Sequence, residues 1–457
     1  MSTPYEISIQ SAEMAQTVVD TLSDTPEADA WQAASIAEEQ TQLYVIGEQV
    51  ESQRDVHDAR VEVVLHNIHE PHVPDAPGPV SGASSVTLLA TDIADPTVLR
   101  ARLGYAATIA SLTDNQPYAL PGSPTDGFPA VQTSDPALAG DMRAAVAETM
   151  DRLRAAVASW SSVRLSSAEL YATRSQRGLR NSRGLTGQSQ GTRVFLDFVL
   201  IAHQDDREAE FHAEMERRRL SDLMIEGTVD AYATFARHSL YARPPATYTG
   251  PVVLSGAALP EFFGPIVFNT SAQAQFQKVS RVKPGEYICG EEPRGDPITL
   301  ITDARRPFGL RTTPFDAEGI PAQTVPVVES GVFARPWADA RYAAYLGVEP
   351  TGSFANLTIP PGSWSLDDLR STDSGPVYEI VAFSWFNPDD ISGDFACEIK
   401  LGYRHDVHGT TPIKGGSLAG NVFTALADAR LSQETYSDGN YFGPAGIRFG
   451  SLSIAGE

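Results

Sequence analysis

The apolar and polar positions of this chain switch between two periods, and the switches mark its elements. Residues 10–23 set Met14, Val18, Val19 and Leu22 on one helical face. From Trp31 to His66 the period falls to two, and residues 41–48 (TQLYVIGE) and 60–66 (RVEVVLH) carry the β-branched, alternating residues of strands. Residues 85–91 (SVTLLAT) read as a further strand. Asp95-Pro96 then supplies a cap and a first-turn proline for a helix with Val98, Leu99, Leu103, Ala106, Ala107 and Ile109 on its apolar face. Residues 114–140 hold five prolines and read as a long loop. Helical spacing returns over 141–160, at Met142, Val146, Met150, Leu153, Val157 and Trp160. Residues 163–202 alternate like paired strands around an Asn181-Ser182-Arg183-Gly184 turn. Residues 205–222 are so highly charged that helix and strand both stay open. A helix over 228–236 leads to Pro244-Pro245, which we take as the boundary between a domain of residues 1–243 and one of residues 244–457.

Beyond the hinge, Thr249–Leu254 opens the second domain, and 296–301 reads as a strand. The most structured stretch is 307–356. There Glu329-Ser330-Gly331 predicts a tight turn between a strand with Val325, Val327 and Val328 and one with Val332 and Phe333, the glycine supplying a positive φ. Ala340–Leu346 predicts a short helix capped by Asp339 and stopped by Gly347, with Ala340, Ala343, Ala344 and Leu346 near one face. A small capped helix is expected at Ser365–Leu369. Strands follow at Val377–Trp385 and 396–403, with His405 and His408 in the turn after the latter.

Charge changes the picture more than hydrophobicity does. The 457 residues suffice for two or three domains, and 42% hydrophobic content is ordinary, but a net charge of −24 leaves little basic surface for a nucleic-acid backbone. Lysine occurs only at 278, 283, 400 and 414. A cluster of Arg174, Arg177, Arg180, Arg183 and Arg193 stands out, as a solvated strand face or a surface for a carboxylate. Cys289 and Cys397 imply no disulfide framework and suit a cytoplasmic protein; Cys289 reads as a small buried thiol. The first residues (MSTPYEISIQSAEMAQ) lack the pattern of a signal peptide, and no apolar run is long enough for a membrane helix. There is no GxSxG nucleophile elbow, P-loop, GxGxxG after a strand, CxxC or EF-hand loop. His66, His69 and His72 stand three apart in HNIHEPHVPDAPGP; we expect a polar, proline-rich loop there, with a bound metal as the alternative.

The order of several short motifs resembles the TldD/TldE (PmbA) family. They are Pro314-Phe315-Asp316-Ala317-Glu318-Gly319, the hairpin with glycine at its turn, the helix ending in Leu346-Gly347, and Thr351-Gly352-Ser353-Phe354-Ala355-Asn356. Others are the Asn181–Gly184 turn, Gly393-Asp394-Phe395, Gly420-Asn421 and the terminal GPAGIRFGSLSIAGE. The resemblance implies a two-domain α+β fold, with an N-terminal antiparallel sheet flanked by helices and a C-terminal, mostly β, barrel-like domain with short helices. It implies membership of a two-subunit zinc metalloprotease. In the subunit that carries the metal, the helix that follows the entry to the second domain bears His-Glu-x-x-x-His, and a cysteine ligand lies near the terminus. Here Ser255–Phe276 contains no histidine, and residues 436–448 contain no cysteine. Two histidines one turn apart place two nitrogens on one zinc, with the glutamate as base; this segment cannot do so. The resemblance is therefore closest to the metal-free TldE/PmbA-like subunit.

That implies a chain without a cofactor of its own, a zinc-bearing TldD-like partner in a heterodimer, and extended or unfolded peptides or ribosomal peptide precursors as substrates. It implies neither nucleic acid nor membrane. Asn181, Arg183, Asp316, Glu318, Thr351, Asn356 and Asn421 sit at the family-like turns and are the candidate substrate-binding residues, with no catalytic or metal residue among them; Asp and Asn at turns also bond their own backbone. A metal-free peptide-binding or scaffold protein acting without a protease partner is the competing reading. A self-sufficient metallohydrolase using His66, His69, His72, His405 or His408 is a third.

Overall fold

The computed structural model describes residues 4–24, 28–72, 78–372 and 375–456. The first half runs α1 (Pro4–Ser23), β1 (Ala30–Ile46), β2 (Gln49–His69), β3 (Val80–Leu89), α2 (Ala90–Ala94), α3 (Pro96–Ala110), α4 (Met142–Ala158), β4 (Val163–Asn181), β5 (Thr186–Gln204), β6 (Arg207–Arg217) and α5 (Ile225–Ser239). Its strands make one antiparallel sheet of order β3-β2-β1-β4-β5-β6. The helices cover one face. Ala33, Val61, Val63 and Leu65 pack with Met14, Val18, Leu99 and Leu103 of α1 and α3. Leu170, Leu196 and Phe198 pack with Val146, Met150 and Leu153 of α4 and with Val229 and Ala233 of α5.

This layering settles the charged segment left open above. Phe211, Ala213 and Met215 are buried in the same core while Glu210, His212 and Glu214 point away, so 207–217 is a strand whose outer half carries the charge. Asp95 caps α3 as expected, accepting from the N–H groups of Thr97 and Val98. Val98 and Ile109, however, are exposed; the buried stripe is Leu99, Leu103, Ala106, Ala107 and Ala110.

The second half runs β7 (Tyr248–Ser255), α6 (Gly264–Asn269), α7 (Ala272–Gln277), β8 (Leu300–Asp303), β9 (Thr324–Glu329), β10 (Val332–Phe333), α8 (Ala340–Leu346), β11 (Asn356–Thr358) and α9 (Leu366–Leu369). Then come β12 (Val377–Phe383), β13 (Asp394–Asp406), β14 (Gly409–Ile413), β15 (Ser417–Asn421), α10 (Val422–Ala425), β16 (Arg430–Leu431), β17 (Thr435–Asp438), β18 (Tyr441–Pro444) and β19 (Gly446–Ala455). Strands β12-β7-β19-β15-β13 close into a five-strand barrel, because β12 also pairs with β13. A second sheet of order β10-β9-β8-β11-β18-β17 packs on it, and one core spans both, from Val252 and Phe449 to Val327, Phe333 and Tyr441. The α+β, two-part architecture expected from the sequence is the one observed. Leu401 of β13 enters the core beneath α4 and α5, joining the barrel to the first sheet.

Five further local expectations change. The strand expected at 296–301 begins only at Leu300. His69 belongs to β2 and not to a loop, because β2 pairs with β3 out to His69–Val80. His405 belongs to β13, which pairs with β14 past the position where a turn was expected. Ala344 of α8 is exposed, and Cys289 is half-buried, its thiol donating to the Glu291 carbonyl.

Candidate functional site

The loop 314–319 is shaped by one side chain. Asp316 Oδ1 accepts the N–H groups of Glu318 (3.0 Å) and Ile320 (2.9 Å), while Oδ2 accepts that of Ser353 (3.0 Å). An aspartate that bonds the backbone two residues on makes such a turn without help from neighbours. Gly319 completes it at φ +94°, with the Leu185 side chain packed where a Cβ would stand. Thr351 fastens the facing segment: its Oγ1 accepts from Ala338 N–H (2.8 Å) and its own N–H donates to the Ala338 carbonyl (2.9 Å). These contacts bring α8 against the loop. Asp339 caps α8 by accepting from Tyr342 N–H, and Gly347 ends it at φ +67°. The hairpin between β9 and β10 turns through Ser330 and Gly331, both at positive φ.

Glu318 is the charged centre of this network. Its Oε2 accepts from Ala340 N–H at the start of α8 (2.7 Å), and its Oε1 accepts from the Tyr118 hydroxyl (3.1 Å). Burial pushes the Glu318 carboxyl up to about 7, and the nearby charges of Asp339 and Asp316 add to the rise. Burial likewise raises Asp339. The first half of the chain meets this loop at several further points. Gln32 Nε2 and Arg177 both donate to the Ala317 carbonyl, and Arg341 of α8 donates to Asn115. Phe315 is buried among Ala34, Leu179 and Leu185 and lies 4.6 Å from Phe128, ring centre to ring centre. A cavity of about 310 Å³ adjoins, lined by Arg177, Arg218, Arg311, Asp316 and Thr351. Burial lowers all three arginines, Arg218 to about 10.

The expected site residues thus divide. Asp316, Glu318 and Thr351 meet in one network. Asn181 and Arg183 form the hairpin turn whose Leu185 packs on Phe315 and Gly319. Asn181 accepts from the Arg183 and Leu185 N–H groups and donates to the Pro121 carbonyl, and the Arg183 side chain is exposed. Asn356 is fully buried behind the cavity, accepting from Arg311 N–H and donating to Asp303 and Thr312. Asn421 stands apart, capping α10 and donating to Ser392 and Asp394. The arginine cluster does not form one patch: Arg174 pairs with Glu39, Arg193 with Glu216, and Arg180 donates to Gln16.

Sequence reasoning missed Tyr118, Gln32, Arg341 and Glu379. Only Glu379 had a signal, a lone carboxylate in the apolar run VYEIVAF. It is buried beside β7 and accepts from Ser255, from Arg370 through two nitrogens, and from His405 (3.0 Å). Burial alone would raise it, but His405 and Arg370 hold it down at about 2. His405 is therefore engaged as a carboxylate's partner.

The segment after β7 is where the resemblance locates a metal-binding helix. It is broken into two 3₁₀ turns, Gly256–Ala258 and Pro260–Phe263, followed by the short α6 and α7. Phe262 and Phe263 fill the core there, and Glu261, raised by burial, lines a cavity of about 420 Å³ with Ser255 and Lys400. Among the described residues, the groups of side chains able to converge on a metal are His69–His72–Asp114 and Asp197–His212–Glu214, both on the first sheet. The residues after β7 do not fit a zinc ion.

Residues 247–456 match the family model of the PmbA/TldA metallopeptidase C-terminal domain. An uncharacterized protein of Methanocaldococcus jannaschii is 27% identical over 218 residues, 45% of this chain and 51% of that protein. A zinc metalloprotease TldD homolog of Saccharolobus solfataricus is 26% identical over 126 residues, 24% of this chain and 28% of that protein. The chain thus spans about half the length, or less, of these curated relatives. The crystal structure of TldE from Thermococcus kodakarensis superposes with a TM-score of 0.78 at 18% identity, covering 96% of this chain and all of that one. Fold and match define a class: a two-part α+β chain ending in a PmbA/TldA-type metallopeptidase domain. Residues 247–456 belong to the PmbA/TldA metallopeptidase C-terminal domain family, and the chain as a whole is similar to the TldD/PmbA proteins.

Proposed function

We propose that this chain is the non-catalytic, TldE/PmbA-like subunit of a heterodimeric TldD/TldE-type zinc metalloprotease of the cytoplasm. A TldD-like partner carries the catalytic zinc and base, and this chain helps form the cleft that holds extended or unfolded peptides or ribosomal peptide precursors. The observation that carries the reading is the segment after β7. It is a broken pair of short helices packed by Phe262 and Phe263, without histidine, in a chain that otherwise keeps the family fold.

In this reading Asp316, Glu318, Thr351 and Asn356 hold one wall of the cleft in shape, Asn181 and Arg183 form the hairpin beside it, and Asn421 fixes the loop near α10. A second opening, about 600 Å³, lies alongside β17, the outer strand of its sheet, where Arg219 stacks on Phe308 and Arg306 on Phe442. An outer strand with free backbone groups holds extended peptides with little regard to their side chains.

The test is peptidase activity on an unfolded protein and on a peptide precursor, for this chain alone and after co-expression with a His-Glu-x-x-x-His homologue. We expect an inactive chain that gains activity only in a 1:1 complex. Cleavage by the chain alone, or a partner fully active without it, would overturn the proposal.

A further inference from the structure

We propose that His69, His72 and Asp114 bind one divalent transition-metal ion of the zinc class, at a structural site on the first sheet. Two segments bring the donors together. His69 is the last residue of β2, and His72 follows one residue beyond Pro71. Asp114 arrives on the chain leaving α3, which is pinned to β3 by a reciprocal pair of backbone bonds between Ser81 and Asn115 (2.9 and 3.0 Å).

His72 Nδ1 lies 2.6 Å, and His69 Nε2 3.2 Å, from the same oxygen, Oδ1 of Asp114. The three donor atoms all fall within 4.8 Å of one another. The second carboxylate oxygen accepts the His72 backbone N–H (2.8 Å), which fixes the carboxylate's orientation. Both ring nitrogens now share hydrogen bonds with this one carboxylate oxygen, contacts that a cation entering between the donors would replace.

Two imidazoles and one carboxylate suit zinc and its neighbours over the oxygen-seeking magnesium and calcium. The side chains of His69 and Asp114 are 15% and 19% exposed and that of His72 is 56% exposed, so the remaining coordination position opens to water. The other cluster, Asp197–His212–Glu214, offers one imidazole against two and is the weaker candidate.

The site's position gives it a structural consequence. Asp114 directly precedes Asn115, which holds Arg341 of α8, and lies four residues before Tyr118, which holds Glu318. An ion here clips the end of β2 to the loop that contacts the second half of the chain. The proposal is independent of the peptidase reading, since binding needs no partner and no turnover.

Isothermal titration of Zn²⁺ into the full, untagged, chelator-stripped chain tests it. We expect one equivalent bound with a saturable heat. His72→Ala and Asp114→Asn should each weaken binding by about 10-fold or more, and excess Mg²⁺ or Ca²⁺ should not compete. Circular dichroism checks folding, and His72→Gln replaces any variant that fails it. Absent saturable binding, or equal zinc affinity in the His72→Ala/Asp114→Asn double variant, refutes the site.

Discussion

Glu318 makes the junction between the two halves respond to pH. Its carboxyl stands at about 7 in the folded chain against an ordinary 4.5. The folded protein therefore holds this proton more tightly than the unfolded chain does. Below 4.5 both states are protonated and the group contributes no difference. As pH rises, the unfolded chain loses the proton first, so stability falls; the loss is complete above 7. Moving one carboxyl across that gap costs on the order of 3 kcal/mol. Glu318→Gln removes the titration and keeps the geometry: the amide oxygen accepts from Ala340 N–H, and its NH₂ donates to a Tyr118 hydroxyl that rotates to accept. Urea unfolding of both proteins from pH 5 to 8.5 reads the difference. We expect the variant to be more stable at pH 8.5 by on the order of 3 kcal/mol, with the advantage shrinking steadily toward pH 5. A difference between the two proteins that does not change with pH refutes the argument, because burial of the charge would then not be what Glu318 contributes.

Two further outcomes follow from the same geometry. Gly319→Ala combines a φ of +94° with a Cβ that would lie 2.5 Å from Leu185 Cδ1, so a loss of about 1–3 kcal/mol in denaturant melts is expected, with faster amide exchange at Ile320. Arg370→Met strips Glu379, whose side chain is 3% exposed, of its bidentate partner; we expect a loss of about 3–5 kcal/mol by the same melts at pH 7, shrinking as acid protonates the carboxylate.

The elements that the sequence revealed are those whose cause lies within a few residues. The cap at Asp339, the stop at Gly347 and the turn at Ser330–Gly331 each involve neighbours, and each stands where the pattern puts it. The strand 207–217 escaped because its outward half is almost wholly charged, which blurs the period seen by a reader who cannot tell which half is buried. His405 was placed in a turn because nothing local says how far β13 continues; that is decided by its pairing with β14. The candidate site was half legible. Asp316, Glu318 and Thr351 lie in one stretch of chain, but the residues that give Glu318 its character come from far away. Tyr118 is 200 positions distant, in a proline-rich loop without any periodic signal, and Gln32 reaches Ala317 across 285.

The barrel's closure sets an order of events at synthesis. β7 is hydrogen-bonded on one side to β12 and on the other to β19, so the strand that opens the second half finds neither neighbour until most of that half has been made. On the ribosome, the first sheet can assemble from hairpins as they emerge, whereas β7 must wait with Val252, Val253 and Leu254 uncovered. Pairings so distant in sequence fold slowly and leave sticky intermediates. The second half of this chain is therefore the part that a nascent-chain chaperone has most reason to hold.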